Sequence, residues 1–186
     1  MKKLILASQS PRRRELMMML NLPFLVVSSR IDETIDQTLD VEEEIKRVAK
    51  EKAEDIFALH PEAIVVGADT LVVLDNEVLG KPRTPENAFN MLKKLSGKTH
   101  RVITGVCIKS EKETTLFAHT SYVTFYDLTD EEITSYVDTR EPLDKAGGYG
   151  IQGRAALFVK HIEGDYYSVM GLPISKVHQE LLKHFA

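Results

Sequence analysis

Residues 63–79, AIVVGADTLVVLDNEVL, set two apolar runs on either side of Gly67-Ala68-Asp69-Thr70, with Asp75-Asn76 near the end. The first run is apolar enough for a strand buried on both faces. The residues at 67–70 predict a break in it, and Asp75-Asn76 predicts a hairpin turn. A hairpin directly after a buried strand excludes a purely parallel array of strand–helix–strand units. The stretch therefore implies an α/β chain on a mixed sheet.

Working outward, the N-terminal side predicts a strand over 3–7 and a helix over 11–20, with Ser10 as N-cap and Pro11 at the first helical position. A second helix starts after Asp40, with Glu43 three residues on as in a capping box, and runs to about Leu59. On the C-terminal side, Thr84-Pro85 opens a helix that ends before Gly97. Strands over 100–109 and 115–126 follow, joined by the charged turn SEKE, and Thr129 to Glu132 form a capping box for a helix to about 139. After the glycine-rich loop DKAGGYGIQG, residues 155–170 read as a hairpin around Glu163-Gly164-Asp165, and 173–185 as a closing helix. Nothing resembles a linker, repeat or low-complexity tract, so residues 1–186 read as a single domain.

Composition narrows the function. The 186 residues are 43% hydrophobic and 28% charged, with a net charge of −4, which is ordinary for a soluble globular protein and wrong for a general nucleic-acid binder with a basic surface. A small polyanion held in a local basic pocket remains compatible. The lone Cys107 lies in an apolar strand-like run, reads as a core residue and excludes an intrachain disulfide. The short N-terminal apolar run and the absence of 18 consecutive apolar residues predict a cytoplasmic protein with no membrane association.

Several side chains break local rules. Arg12, Arg13 and Arg14 occupy the first turn of a helix, where the macrodipole disfavours cations. On a helical wheel Arg12 and Arg13 flank the apolar side of Leu16, Met17 and Leu20, whereas Arg14 points away. Either the pair makes salt bridges elsewhere, or the helix start, its guanidinium forks and the Ser8 and Ser10 hydroxyls hold a phosphate. Lys52 projects about 20° from Ile45 on the second helix, inside the apolar stripe. It either snorkels to the edge of the core or holds its ammonium inward against a negative ligand. Asp69 ends a buried run, where α/β proteins place ligands and metals, or it caps a turn. Glu33 in SSRIDET and Lys81 in LGKP are weaker candidates on pattern alone.

Gly148 to Gly153 match GxGxxG, but a loop precedes them and a strand-like run follows, so the dinucleotide reading lacks its context. The six histidines have no metal-ligand spacing, and there is no Walker-type loop. Two arginines and two lysines that could face an anion, with carboxylates suited to a hard divalent ion, fit phosphoryl chemistry on a nucleotide or similar polyphosphate.

These residues resemble the Maf family of nucleotide pyrophosphatases. The resemblance rests on LILASQSPRRREL, IDE, VVGADTLVVLDNEVLGKP, LSGKTHRVITGV, EPLDKAGGYGIQG and IEGDYYSVMGLPI, and spans essentially the whole chain. It implies a mixed α/β fold with a twisted sheet, flanking helices and two lobes around a cleft, similar to inosine triphosphate pyrophosphatases. It also implies metal-dependent cleavage between the α- and β-phosphates of a nucleoside triphosphate. Ser8, Arg12, Arg13, Lys52 and Lys81 match the family's polar, substrate-binding positions. Asp69, Glu33 and Lys52 are then catalytic, with Asp69 the proton acceptor, and Glu33 and Asp69 would hold Mg²⁺ or Mn²⁺. Arg12, Thr70 and Gln152 match the branch that takes dTTP and UTP, with a house-cleaning role towards modified pyrimidine triphosphates. The sister branch acting on 7-methyl-GTP carries an aromatic residue in place of Arg12 and an acid in place of Gln152. A regulator of septum formation, with catalysis secondary, is the reading from another class, and a homodimer stays open.

Overall fold

The computed structural model describes residues 2–185. Its strands are β1 (Leu4–Ala7), β2 (Phe24–Val26), β3 (Ile64–Leu74), β4 (Glu77–Leu79), β5 (Thr99–Lys109), β6 (Thr114–Phe125) and β7 (Val159–Glu163). The helices are α1 (Pro11–Met18), α2 (Val41–Leu59), α3 (Pro85–Leu95), α4 (Asp130–Val137), α5 (Tyr166–Met170) and α6 (Ile174–Phe185). The strands form one seven-stranded sheet in the order β2-β1-β3-β5-β6-β7, with β4 paired to β3. β1 pairs in parallel with both β2 and β3, while β3–β4 and β6–β7 are antiparallel. The expected mixed α/β sheet is therefore present.

Most helix starts follow their side-chain signals. Ser10, Asp40, Thr84 and Thr129 each accept a hydrogen bond from the backbone N–H three residues on, and Thr129 with Glu132 completes a capping box. The hairpin at Asp75-Asn76 is also present, with Leu74 opposite Glu77.

Three expectations need correction. β3 has no break at 67–70 but runs without interruption from Ile64 to Leu74. Gly67 serves packing there: a Cβ on it would stand 2.4 Å from the Ala49 carbonyl oxygen and 2.8 Å from the Ala53 nitrogen, so its absence lets α2 lie directly on the strand. Helix α1 ends at Met18, because Met19 and Leu20 close tighter bonds to Leu16 and Met17 and Asn21 turns to a left-handed φ of 52°. Residues 155–170 are not a hairpin. A 3₁₀ turn (Arg154–Phe158) leads into β7, and Asp165 then accepts from the N–H groups of Tyr167 and Ser168, turning the chain into α5. The three-residue β2 lies in the apolar run of residues 24–27, which the sequence reading passed over.

The chain divides into two compact units, with boundaries inside β3, β5 and β6. One comprises the N-terminal segment through Asp69, Thr104–His119 and the C-terminal segment from Gly171; the other comprises Thr70–Ile103 and Thr120–Met170. The first packs α2 through Ala49, Ala53 and Ile56 against Ile5, Val65 and Cys107, which is a core residue as expected. The second has its own core, in which Leu92, Phe125, Tyr136 and Phe158 are central.

Candidate active site

In the first unit the close approach of α2 to β3 decides where Lys52 reaches. Side chains alternate along a strand, so Asp69 lies on the Gly67 face that α2 covers, and Thr70 lies on the opposite face. Lys52 is only 5% exposed, and its Nζ lies 2.8 Å from Asp69 Oδ1 and 2.8 Å from Glu33 Oε1. The ammonium also approaches the Ala68 carbonyl at 3.5 Å. The sequence offered a snorkelling stem or a negative ligand; the structure instead explains a lysine inside an apolar stripe by two of the protein's own carboxylates that converge on it.

Glu33 reaches this point from a loop held by α2. Arg47 donates to both oxygens of Glu44 at 2.9 Å and to the Thr34 carbonyl at 2.8 Å, while Glu44 accepts from the Asp36 N–H at 2.9 Å. The Arg47 hydrogen bonds, helped by the Asp36 N–H, hold the Glu44 carboxyl down at about 2. Asp32 folds the same loop locally by accepting from the N–H and hydroxyl of Thr34.

Arg13 points inward as the wheel predicts: it is 8% exposed, Arg12 is half-buried and Arg14 is exposed. Arg13 Nε donates to the Gly171 carbonyl at 2.8 Å, a partner 158 positions away, and Nη1 approaches Ser8 Oγ at 3.5 Å. Burial lowers its pKa, Arg12 acts in the same direction, and the charges of Asp69 and Glu33 oppose it. The cation therefore belongs to the same electrostatic cluster as the two carboxylates. Ser8 Oγ also accepts from the Ser10 N–H at 3.1 Å, which leaves its hydroxyl proton to donate. Capping by Ser10 takes the Arg13 N–H and the Ser10 carbonyl takes the Arg14 N–H, so among the described residues only Arg12 N–H is left over at the start of α1. Arg12 makes no ion pair among the described residues.

The remaining candidates belong to the second unit. Lys81 is exposed on a loop whose ends are tied by Gly147 N–H to the Gly80 carbonyl and Arg83 N–H to the Leu143 carbonyl, each at 3.1 Å. Thr70 is half-buried on β3, and Gln152 is exposed in a turn closed by Gly153 N–H to the Gly150 carbonyl at 3.1 Å. That turn leads to a 3₁₀ segment and a strand, so the GxGxxG run lacks the helix a dinucleotide site needs. Sequence reading missed the Gly171 carbonyl, and no local signal marks an acceptor so distant.

No cluster of three or more His, Cys, Asp or Glu side chains suited to a metal exists among the described residues, and none of their helices is long and apolar enough to cross a membrane. What the first unit assembles is a buried cation bridging two partly hydrated carboxylates, beside a second, buried guanidinium. Such a cluster can fix a carboxylate oxygen towards water while its cations meet phosphate oxygens.

Comparison with known proteins places the chain in a family. A solved structure titled "The structure of the Staphylococcus aureus Ham1 protein" matches over 98% of this chain and 100% of its own, with a TM-score of 0.56 at 15% identity, which speaks for the fold alone. The protein named dTTP/UTP pyrophosphatase from Bacillus cytotoxicus is 52% identical over 181 residues, covering 97% of this chain and 95% of the relative. Proteins of the same name from Geobacillus sp. (strain WCH70) and Bacillus velezensis are 51% and 48% identical, each covering 97% of this chain, and 97% and 95% of their own length. The model described as "Maf-like protein" matches residues 3–184. The chain belongs to the Maf family.

Proposed function

We propose that this chain hydrolyses dTTP and UTP to the nucleoside monophosphate and pyrophosphate. The observation that carries the proposal is Lys52, buried and bonded to both Asp69 and Glu33. The name shared by relatives about half identical to it supports the choice of pyrimidine substrates.

In this reading Asp69 gives Oδ1 to Lys52, and its other oxygen is the one that would receive the attacking water's proton. The water oxygen joins the α-phosphorus, its proton passes to the carboxylate, and the bond from that phosphorus to the bridging oxygen breaks as pyrophosphate leaves. Lys52 restrains Asp69 so that the carboxylate does not have to be ordered during the reaction. Arg13 and Ser8 supply donors for phosphate oxygens from the same unit. The donor chemistry fits a divalent ion: two carboxylates are what Mg²⁺ takes from a protein when substrate phosphates and water complete its shell. Asp69 and Glu33 would hold it, and when bound it would neutralise charge on the phosphates. Gln152, with Thr70 of the same unit, would meet the base, since a primary amide offers both a donor and an acceptor to the edge of uracil or thymine.

The test is turnover of dTTP and UTP in ¹⁸O-labelled water with Mg²⁺ or Mn²⁺. Label is expected in the monophosphate, with activity lost in Asp69→Asn and after chelation. Label found only in pyrophosphate, or turnover that survives Asp69→Asn, overturns this mechanism. A wild-type enzyme that prefers 7-methyl-GTP overturns the substrate assignment.

A further inference from the structure

The turn that carries Gln152 is held at both ends by one pair of side chains. Tyr136, buried on α4, donates from Oη to Glu141 Oε1 at 3.1 Å and accepts from the Gly150 N–H at 3.3 Å. Glu141 Oε2 accepts from the Arg154 N–H at 3.5 Å. Gly150 and Gly153 are the first and last residues of the turn, and Gln152 is its exposed third residue. Gly153 has no room for a side chain: a Cβ there would stand 1.8 Å from Glu141 Oε1 and 2.5 Å from its carboxyl carbon. Its φ of −90° is one that any residue adopts, so the glycine is required by the carboxylate's position and not by the backbone. Glu141 itself is fixed by its N–H to Thr139 Oγ1 at 3.2 Å and by Lys145 Nζ on its carbonyl at 2.6 Å. The segment that follows it carries Leu143 and Gly147, the partners of the Lys81 loop.

We propose that Tyr136 and Glu141 are positioning residues for base discrimination: they clamp the turn 150–153 so that the Gln152 amide is presented in one orientation. The proposal rests on the reading that Gln152 meets the base. A hydrogen-bonded site rejects a wrong base strongly only when its polar groups are held in place, because a mobile amide re-pairs with whatever edge arrives. Tyr136 and Glu141 touch neither base nor phosphate in this scheme and act only through the turn.

Three variants break the clamp in different ways. Tyr136→Phe keeps the ring and removes both hydrogen bonds. Glu141→Gln replaces an acceptor-only carboxylate with an amide that retains a single acceptor oxygen. Gly153→Ala drives the Glu141 carboxylate aside, and because the displaced group is the end of a flexible side chain the fold survives. The measurement is kcat/KM for dTTP, UTP, dCTP and dGTP, together with inhibition by inorganic tripolyphosphate and thermal unfolding. Each variant is expected to unfold in one transition, to lose about tenfold in kcat/KM for dTTP and UTP mainly through KM, and to keep the dCTP and dGTP values within about twofold. Inhibition by tripolyphosphate, which has no base, is expected to stay at the wild-type level. Equal losses on all four nucleotides, or weakened tripolyphosphate inhibition, make the pair merely structural and overturn the proposal. Gln152→Ala separates the two levels. If it abolishes the preference for dTTP and UTP while the three clamp variants retain it, positioning fails and the base reading stands. If Gln152→Ala leaves the preference intact, the base reading fails and the clamp proposal with it.

Discussion

Replacing Lys52 by methionine removes one charge and little volume, and the structure says what that charge holds apart. In the wild type the ammonium lies 2.8 Å from an oxygen of each carboxylate, with the lysine, aspartate and glutamate side chains 7%, 15% and 49% exposed. Breaking a fully buried ion pair costs about 3–5 kcal/mol because an uncompensated charge is left behind. Here the penalty is smaller. Glu33 swings into water and contributes no more than about 1 kcal/mol, as for exposed pairs, while Asp69 keeps some hydration. Lys52→Met is therefore expected to destabilise the protein by about 2–3 kcal/mol. Asp69→Asn is expected to cost about 1–2 kcal/mol, since its amide oxygen still accepts from the ammonium. The double variant has neither charge, so it is expected to be more stable than the sum of the two losses by about 2 kcal/mol. The chain lacks tryptophan, so urea unfolding is best followed by far-ultraviolet circular dichroism, beside pyrophosphate release from dTTP. All three variants are expected to lose turnover by about 100-fold or more. A coupling below about 0.5 kcal/mol, or a Lys52→Met enzyme with wild-type turnover, refutes the reasoning that this lysine is kept inside for its carboxylates.

Arg13→Ala, which leaves the Gly171 carbonyl without its donor, is expected to lose about 100-fold in kcat/KM, whereas Arg14→Ala stays within about 0.5 kcal/mol of wild-type stability with full activity. Equal losses in both would reject the orientation of α1. Gly67→Ala forces a methyl to within 2.4 Å of the Ala49 carbonyl, so a loss of about 3 kcal/mol is expected, with turnover falling as α2 shifts Lys52 away from Asp69; denaturation and kinetics on one preparation check it. Burial holds His100 down at about 4, against about 6.5 in the unfolded chain. The unfolded state then binds more protons between those values, so this contribution is complete above about pH 6.5 and is lost as pH falls towards 4, about 3 kcal/mol in all. His184, lowered chiefly by burial, acts in the same direction. Urea midpoints measured from pH 4 to 7 are expected to flatten in His100→Gln, and an unchanged slope would remove His100 from the acid response.

Much of this molecule was legible along the chain because the deciding physics is local. Ser10, Asp40, Thr84 and Thr129 start helices through bonds to residues three positions on, and the periodicity of α1 sorted its three arginines without any partner in view. Asp75-Asn76 made its hairpin for the same reason. Lys52 stood out as a cation inside an apolar stripe, and the family resemblance supplied Glu33, which lies in a loop where pattern alone is silent. Tertiary contact decided the rest. Gly67 read as a break because a glycine in a strand is locally unfavourable, yet the distant α2 needs the space that its missing side chain leaves. Residues 155–170 alternate like a hairpin, but Asp165 captures two backbone N–H groups and turns the chain into a helix instead. The acceptor that fixes Arg13 is 158 positions away, and the two carboxylates on Lys52 come from a loop and from a strand. Such convergence depends on how closely a helix lies on a sheet, a distance set by side-chain volumes on both elements together and encoded in neither one alone.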